Sequence, residues 1–183
     1  MIKEYSDLFD PSELPRRRKE LHYYLAGFAD GEACFSVSIK RLSTARFGWV
    51  IDPVFHITQN RQNILELFRR VIKCGRVIKK PGQPETFQFI VENRRQLVEK
   101  VIPFFERYRL LSKRKDFELF SEIVRRLERK EHWTREGFEA IVRMAFQMNS
   151  SGKQRRNRLD DILKSLRDPQ RPYAGCPEEA EQA

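Results

Sequence analysis

Leu25-Ala26-Gly27-Phe28-Ala29-Asp30-Gly31-Glu32 joins an apolar helical segment to two carboxylates, and the pattern of the chain changes directly after it. Leu21, Leu25 and Phe28 follow helical spacing from Glu20 to Asp30. From Ala33 to Lys40 the period becomes two, with Ala33, Phe35, Val37 and Ile39 on one side and Cys34, Ser36, Ser38 and Lys40 on the other. A glycine inside a helix costs about 1 kcal/mol relative to alanine, so Gly27 and Gly31 call for a compensating gain. Close approach of a second backbone along that face would supply it.

A second alternating run follows the polar loop at Arg41 to Arg46. It points Phe47, Trp49, Ile51, Phe55 and Ile57 inward and His56 and Thr58 outward. The two runs predict an antiparallel pair with one buried face. A helix is expected over Gln62 to Lys73, closed by Cys74-Gly75 as a glycine cap. Two short strands come next, Arg76–Lys80 and Glu85–Val91, with Pro81-Gly82-Gln83-Pro84 as the turn. In the second of these, Phe87, Phe89 and Val91 alternate with Thr86, Gln88 and Ile90. Helices are expected from Arg94 to Phe105, Lys113 to Arg129, Trp133 to Met148 and Leu159 to Leu166. The order predicts an α+β fold: four antiparallel strands in two hairpins, helices on one face, further helices at the C-terminal end. Residues 1–19 read as an irregular basic arm, 20–167 as the domain, and 168–183 as a disordered tail.

In the full sequence of 183 residues, 36 lysines and arginines face 26 acids, a net charge of +10 that favours a polyanionic partner. Cys34, Cys74 and Cys176 lie far apart and form neither a zinc pattern nor a disulfide framework, which fits a reducing, intracellular setting, cytoplasmic or organellar. No apolar run approaches membrane-spanning length, and Met1 to Tyr5 lacks the core of a secretion signal, so no membrane partner is expected. The polar sheet face, with Ser36, Ser38, Lys40, His56, Thr58, Lys80, Thr86 and Gln88, suits a two-stranded ribbon reading base edges in a DNA major groove. Cation runs at Arg61 to Lys80, Arg94 to Lys115 and Lys153 to Arg158 would flank it as phosphate contacts. Arg61, Arg76, Lys79, Lys115, Lys153, Arg155 and Arg156 belong to those runs, with Ser150 and Ser151 in the turn before the last.

Leu25 to Ala33 resembles the nine-residue motif of the LAGLIDADG homing endonucleases, with Ala33 in place of the usual final glycine. Phe55-His56-Ile57-Thr58-Gln59-Asn60-Arg61 is similar to the family's strand-to-helix junction. Pro103-Phe104-Phe105 with Leu111-Ser112-Lys113-Arg114-Lys115-Asp116-Phe117 is similar to its lysine region. The resemblance covers roughly residues 20 to 165 and implies the αββαββα fold with a saddle-like sheet.

One copy of the motif is present. The resemblance therefore implies a homodimer through the motif helix, residues 20–31, acting on a near-palindromic double-stranded target. It implies Mg²⁺ (or Mn²⁺) held by the Glu32 carboxylate and the Gly31 carbonyl, with Asp30 structural and bonded to backbone at the tight helix junction. Gln59 matches the residue near the attacking water and Lys113 the basic residue that polarises the site. Asn63 stands where some members carry arginine; Arg61 or Lys113 are the candidates for the missing charge. His22 and His132 are expected to be inert helix-surface residues. The expected activity is site-specific double-strand DNA cleavage by an intron-encoded enzyme. An RNA maturase or an inactive DNA-binding protein on the same fold is the alternative, and a basic ribosome-associated domain is a third.

Overall fold

A computed structural model of the chain describes residues 3–148 and 157–166. Its first long helix, α1 (Arg18–Glu32), runs without a loop into β1 (Ala33–Arg41), which turns back as β2 (Trp49–Gln59). Helix α2 (Gln62–Ile72) precedes β3 (Arg76–Lys80) and β4 (Gln83–Val91). Then come α3 (Arg94–Gln96), a π-helical turn (Leu97–Val101), α4 (Ile102–Arg107), α5 (Arg114–Glu128), α6 (Arg135–Gln147) and α7 (Leu159–Lys164).

The four strands form one antiparallel sheet in the order β1-β2-β4-β3. Strict alternation decides its two faces. Phe35, Val37, Phe55, Ile57, Phe89 and Val91 are buried on the helix side, and the residues between them along β1 and β2 stay half-exposed. Phe35 and Phe55 pack against each other and against Phe105, and Phe68 of α2 meets Phe55, Phe89 and Phe105. This aromatic cluster fixes the sheet on α2, α4 and α5, so the polar face is presented outward. At the far end of the β1–β2 hairpin, Phe47 meets Phe138 of α6, and Trp49 Nε1 donates to Ser165 Oγ at 3.1 Å.

Several boundaries differ from expectation. The N-terminal arm is not irregular throughout. It carries a 3₁₀ turn (Lys3–Tyr5), and α1 already begins at Arg18. Tyr5 and Leu14 of the arm are buried, and ion pairs Arg18–Glu4 and Arg70–Asp7 fasten it to α1 and α2. The residue that ends α2 in the left-handed conformation is Lys73 (φ 60°), not Gly75. Gly75 (φ 76°) answers a separate demand: a Cβ there would lie 2.6 Å from the Phe89 ring and 2.7 Å from the Ile90 carbonyl oxygen. The β3–β4 turn is the two-residue Pro81-Gly82, so β4 starts at Gln83 and includes Pro84.

The helix expected over 94–105 is broken by the π turn. Pro103 follows that turn and has no N–H to give to the preceding turn, so the ladder loosens ahead of it. Ile90 belongs to the outward set of β4 yet is buried. The expected disordered tail lies outside the described residues.

Candidate active site

Helix α1 delivers the acids. Its last residue, Glu32, is exposed and its carboxylate makes no hydrogen bond or ion pair with the described residues, and Ala33 is already strand. The last turn of α1 holds no basic residue, so its terminal carbonyls and two carboxylates concentrate negative charge at one tip. The compensating cation comes from far along the chain. Lys113 Nζ donates to the Gly31 carbonyl oxygen at 2.6 Å.

Asp30 explains how Lys113 reaches that point. Its Oδ2 accepts the backbone N–H groups of Leu111 (3.1 Å) and Ser112 (2.9 Å), and its Oδ1 accepts that of Lys113 (2.9 Å). The Ser112 hydroxyl donates to the Asp30 carbonyl at 3.1 Å. Partial burial would raise the Asp30 pKa, but the N–H groups of Ser112, Lys113 and Leu111 outweigh it, and the carboxyl is held below its ordinary 3.8. Asp30 bonds backbone groups, but its partners are not those of its own helix junction. They form a loop 81 to 83 residues away.

Gln59 ends β2 just beyond Ile57, the strand partner of Ala33, which places it at the same end of the sheet as Glu32. Its Oε1 accepts the Asn60 N–H at 2.8 Å, leaving the amide nitrogen free of described partners. Asn63 is spent on its neighbour: Oδ1 accepts the Ile64 N–H at 2.9 Å. Arg61, at the start of α2, is exposed and makes no ion pair with the described residues, so of the two it is the unengaged cation. Among the described residues no three His, Cys, Asp or Glu side chains gather as a metal cluster. A carboxylate and a backbone carbonyl are hard oxygen donors, a set that fits Mg²⁺ or Mn²⁺, which keep several waters, better than a transition metal wanting imidazole or thiolate. An ammonium, that of Lys113, already sits on the Gly31 oxygen.

The outward sheet face is polar and lightly self-paired. Ser36 and Ser38 hydroxyls donate long bonds to the Val54 and Asp52 carbonyls at 3.3 and 3.4 Å. Gln88 donates to Thr58 Oγ1 at 3.3 Å, while Thr86 is half-buried on β4. Lys40 pairs with Asp52 (2.9 Å) and Arg76 with Glu92 (2.7 Å). The period of two places Asp52 outward between Ile51 and Pro53, where it meets Lys40. His56 sits mid-face opposite Cys34 and Ile90, its pKa lowered by burial and then by the charge of Lys80.

Lys79 does not belong with these residues. It pairs with Phe87, a helix-side position, just before the irregularity at Lys79/Lys80. Nor do the cation runs flank the sheet as a block: Arg69 and Arg70 pair with Glu66 and Asp7, Arg95 with Glu99, and Arg114 with Glu118. Lys115 is exposed at the start of α5. Ser150, Ser151, Lys153, Arg155 and Arg156 lie outside the described residues.

The histidines expected at the helix surface are more integrated. His22 Nδ1 lies 2.8 Å from Tyr108 Oη and its ring packs edge-on to Phe104 and Tyr108. His132, in a 3₁₀ turn (Glu131–Trp133), buries its Nδ1. On the exposed stripe of α1, Tyr23 and Tyr24 precede Gly27 and Gly31, and neither glycine has an atom of the described chain within 4 Å of where a Cβ would stand.

The family model for LAGLIDADG endonucleases matches residues 25–124, from the start of the motif helix into α5. The chain belongs to the LAGLIDADG endonuclease family. It is 35% identical over 150 residues to the homing endonuclease I-ApeII of Aeropyrum pernix, covering 80% of this chain and 90% of that protein. It is 45% identical over 91 residues to the DNA endonuclease I-CeuI of Chlamydomonas moewusii, covering 49% of this chain and 42% of that one. The fold matches the archaeal intron-encoded homing endonuclease I-Vdi141I complexed with DNA (TM-score 0.78, 32% identity, 81% of this chain and 96% of that chain). It also matches the intron-encoded I-CeuI complexed with DNA (TM-score 0.74, 31% identity, 83% and 78%). As a LAGLIDADG endonuclease the chain carries the family's α+β sheet, and no helix among its described residues is long and apolar enough to cross a membrane.

Proposed function

We propose that this LAGLIDADG endonuclease is a homing enzyme, encoded within an intron, that makes site-specific double-strand breaks in DNA. Two copies meet through the motif helices, residues 20–31, and each delivers one Glu32 to one strand of a near-palindromic target. The supporting observation is the Glu32 carboxylate, without a partner among the described residues, at the tip of a helix whose glycine face has no described neighbour within 4 Å. Residues 20–167 are read as one catalytic unit on which the N-terminal arm is laid.

Glu32 and the Gly31 carbonyl would hold a Mg²⁺ or Mn²⁺ ion, which supplies Lewis-acid stabilisation of phosphate charge and an acidified water. Gln59 orients the attacking water through its unengaged amide nitrogen. Lys113 stabilises negative charge as it develops on the phosphate oxygens, and Asp30 holds the loop that carries Lys113. On the sheet, Lys40 and Arg76 exchange their carboxylate partners for phosphates, while Ser36, Ser38, His56, Thr58, Thr86 and Gln88 face base edges and Lys80, Arg61 and Lys115 the backbone.

An intact, unengaged Glu32 favours the enzyme over an RNA maturase or a DNA-binding protein without activity. The test is incubation of the purified protein with a duplex spanning the intron-free allele of its host gene, with Mg²⁺ or with EDTA. Linear product is expected with Mg²⁺ alone and is lost in Glu32→Gln. Cutting by Glu32→Gln overturns the assignment.

A further inference from the structure

We propose that Lys113 is a built-in stand-in for the metal ion, one that keeps divalent cations off the motif-helix tip until DNA arrives. The idea rests on the metal-binding reading given above and extends it to regulation of the same site. The tip of α1 carries two carboxylates and the negative end of the helix dipole, with no basic residue in its own last turn. The Lys113 ammonium fills that need, 2.6 Å from the Gly31 oxygen. The backbone that carries it is anchored, because the Lys113 N–H is held by Asp30 Oδ1 at 2.9 Å and the two preceding N–H groups by Oδ2.

A Mg²⁺-sized ion binds oxygen at about 2.1 Å. If it used the second lone pair of the Gly31 carbonyl, it would stand only about 4 Å from the ammonium, where a doubly charged ion is strongly repelled even with solvent screening. Ion and ammonium therefore compete for one oxygen, and the free protein binds metal weakly. DNA changes the balance. Phosphate oxygens offer Lys113 stronger, charge-assisted partners than a neutral carbonyl, and the ammonium turns to them. The carbonyl is then released beside a backbone that itself attracts cations. Metal and DNA binding become positively coupled, and by reciprocity each tightens the other. The consequence is an enzyme charged with its ion only on DNA.

The experiment is a Mn²⁺ titration of the DNA-free protein followed by the electron paramagnetic resonance of unbound Mn²⁺, a readout independent of cleavage. Lys113→Met and Lys113→Gln are compared with the wild type and with Arg114→Met, which removes a neighbouring charge that pairs with Glu118 and not with the tip. Both Lys113 variants are expected to bind Mn²⁺ at least about tenfold more tightly than the wild type, Arg114→Met to leave affinity unchanged, and added Glu32→Gln to abolish the gain. Equal or weaker Mn²⁺ binding by both Lys113 variants overturns the proposal while leaving the metal site standing. Tight binding that ignores Glu32→Gln refutes the metal-site reading itself, and the proposal with it.

Discussion

Replacing Asp30 by asparagine changes almost no volume but removes one of two acceptor oxygens. In the native site Oδ2 serves Leu111 and Ser112, and Oδ1 serves Lys113. Asparagine can keep the first pair, as bonds to a neutral oxygen, only by turning its amide nitrogen toward the Lys113 N–H, donor against donor. A hydrogen bond to a charged group contributes about 1.5–3 kcal/mol and a neutral one about 0.5–1.5, and partial exposure of Asp30 favours the lower ends. At those lower ends one lost bond and two weakened ones amount to about 3.5 kcal/mol. Relief of a carboxylate at a helix C-terminus returns about 0.3–1 kcal/mol, so the net loss is about 2.5–3 kcal/mol at neutral pH.

Because the folded carboxyl titrates below its ordinary 3.8, this stability is complete above that value and drains away as pH falls through the folded pKa. Urea unfolding of wild type and Asp30→Asn should therefore diverge at pH 7 and converge in acid. Hydrogen exchange should accelerate at the amides of residues 111–113. Equal stability at pH 7, with those amides still protected in the variant, would refute the latch.

The two kinds of glycine should part company. Gly75→Ala places a Cβ 2.6 Å from the Phe89 ring at a φ of 76° and should cost about 2–4 kcal/mol in chemical denaturation. Gly27→Ala meets nothing within 4 Å among the described residues, so at low protein concentration it should be neutral or up to about 1 kcal/mol more stable, yet associate and cleave poorly. Proton titration of His56 by nuclear magnetic resonance should give a midpoint below 6.5, since burial and then Lys80 disfavour its charged form. The stability tied to that neutral imidazole is complete above 6.5 and is lost as pH drops through the folded midpoint.

The fold was legible wherever one face of an element is apolar throughout. Leu21 and Leu25 on α1, the alternation through Phe35 and Phe55, and Ile64, Leu65 and Phe68 on α2 each state a period that the buried face then enforces. It was less legible where one local exception overrides the period. The π turn ahead of Pro103, the left-handed Lys73, and Ile90 buried on the polar face are of this kind.

The acids of the site were visible because two carboxylates at a helix end violate helix electrostatics and demand a reason. Their partners were not. The clasp of Asp30 on residues 111–113 and the seat of Lys113 on Gly31 join points more than 80 residues apart, mostly through backbone groups that every residue possesses. Charge runs misled for a related reason. The sequence counts cations but does not show that Glu66, Asp7 and Glu99 already occupy several of them.

Shared action by two helix tips is the claim on which the account turns, and the mass of the protein–DNA complex tests it. Sedimentation of the wild-type protein on its cleavable duplex, with Ca²⁺ in place of Mg²⁺, should give two chains per duplex, and Gly27→Ala should shift that complex toward dissociation. A single chain bound per duplex, under conditions where Mg²⁺ then yields a double-strand break, would contradict it.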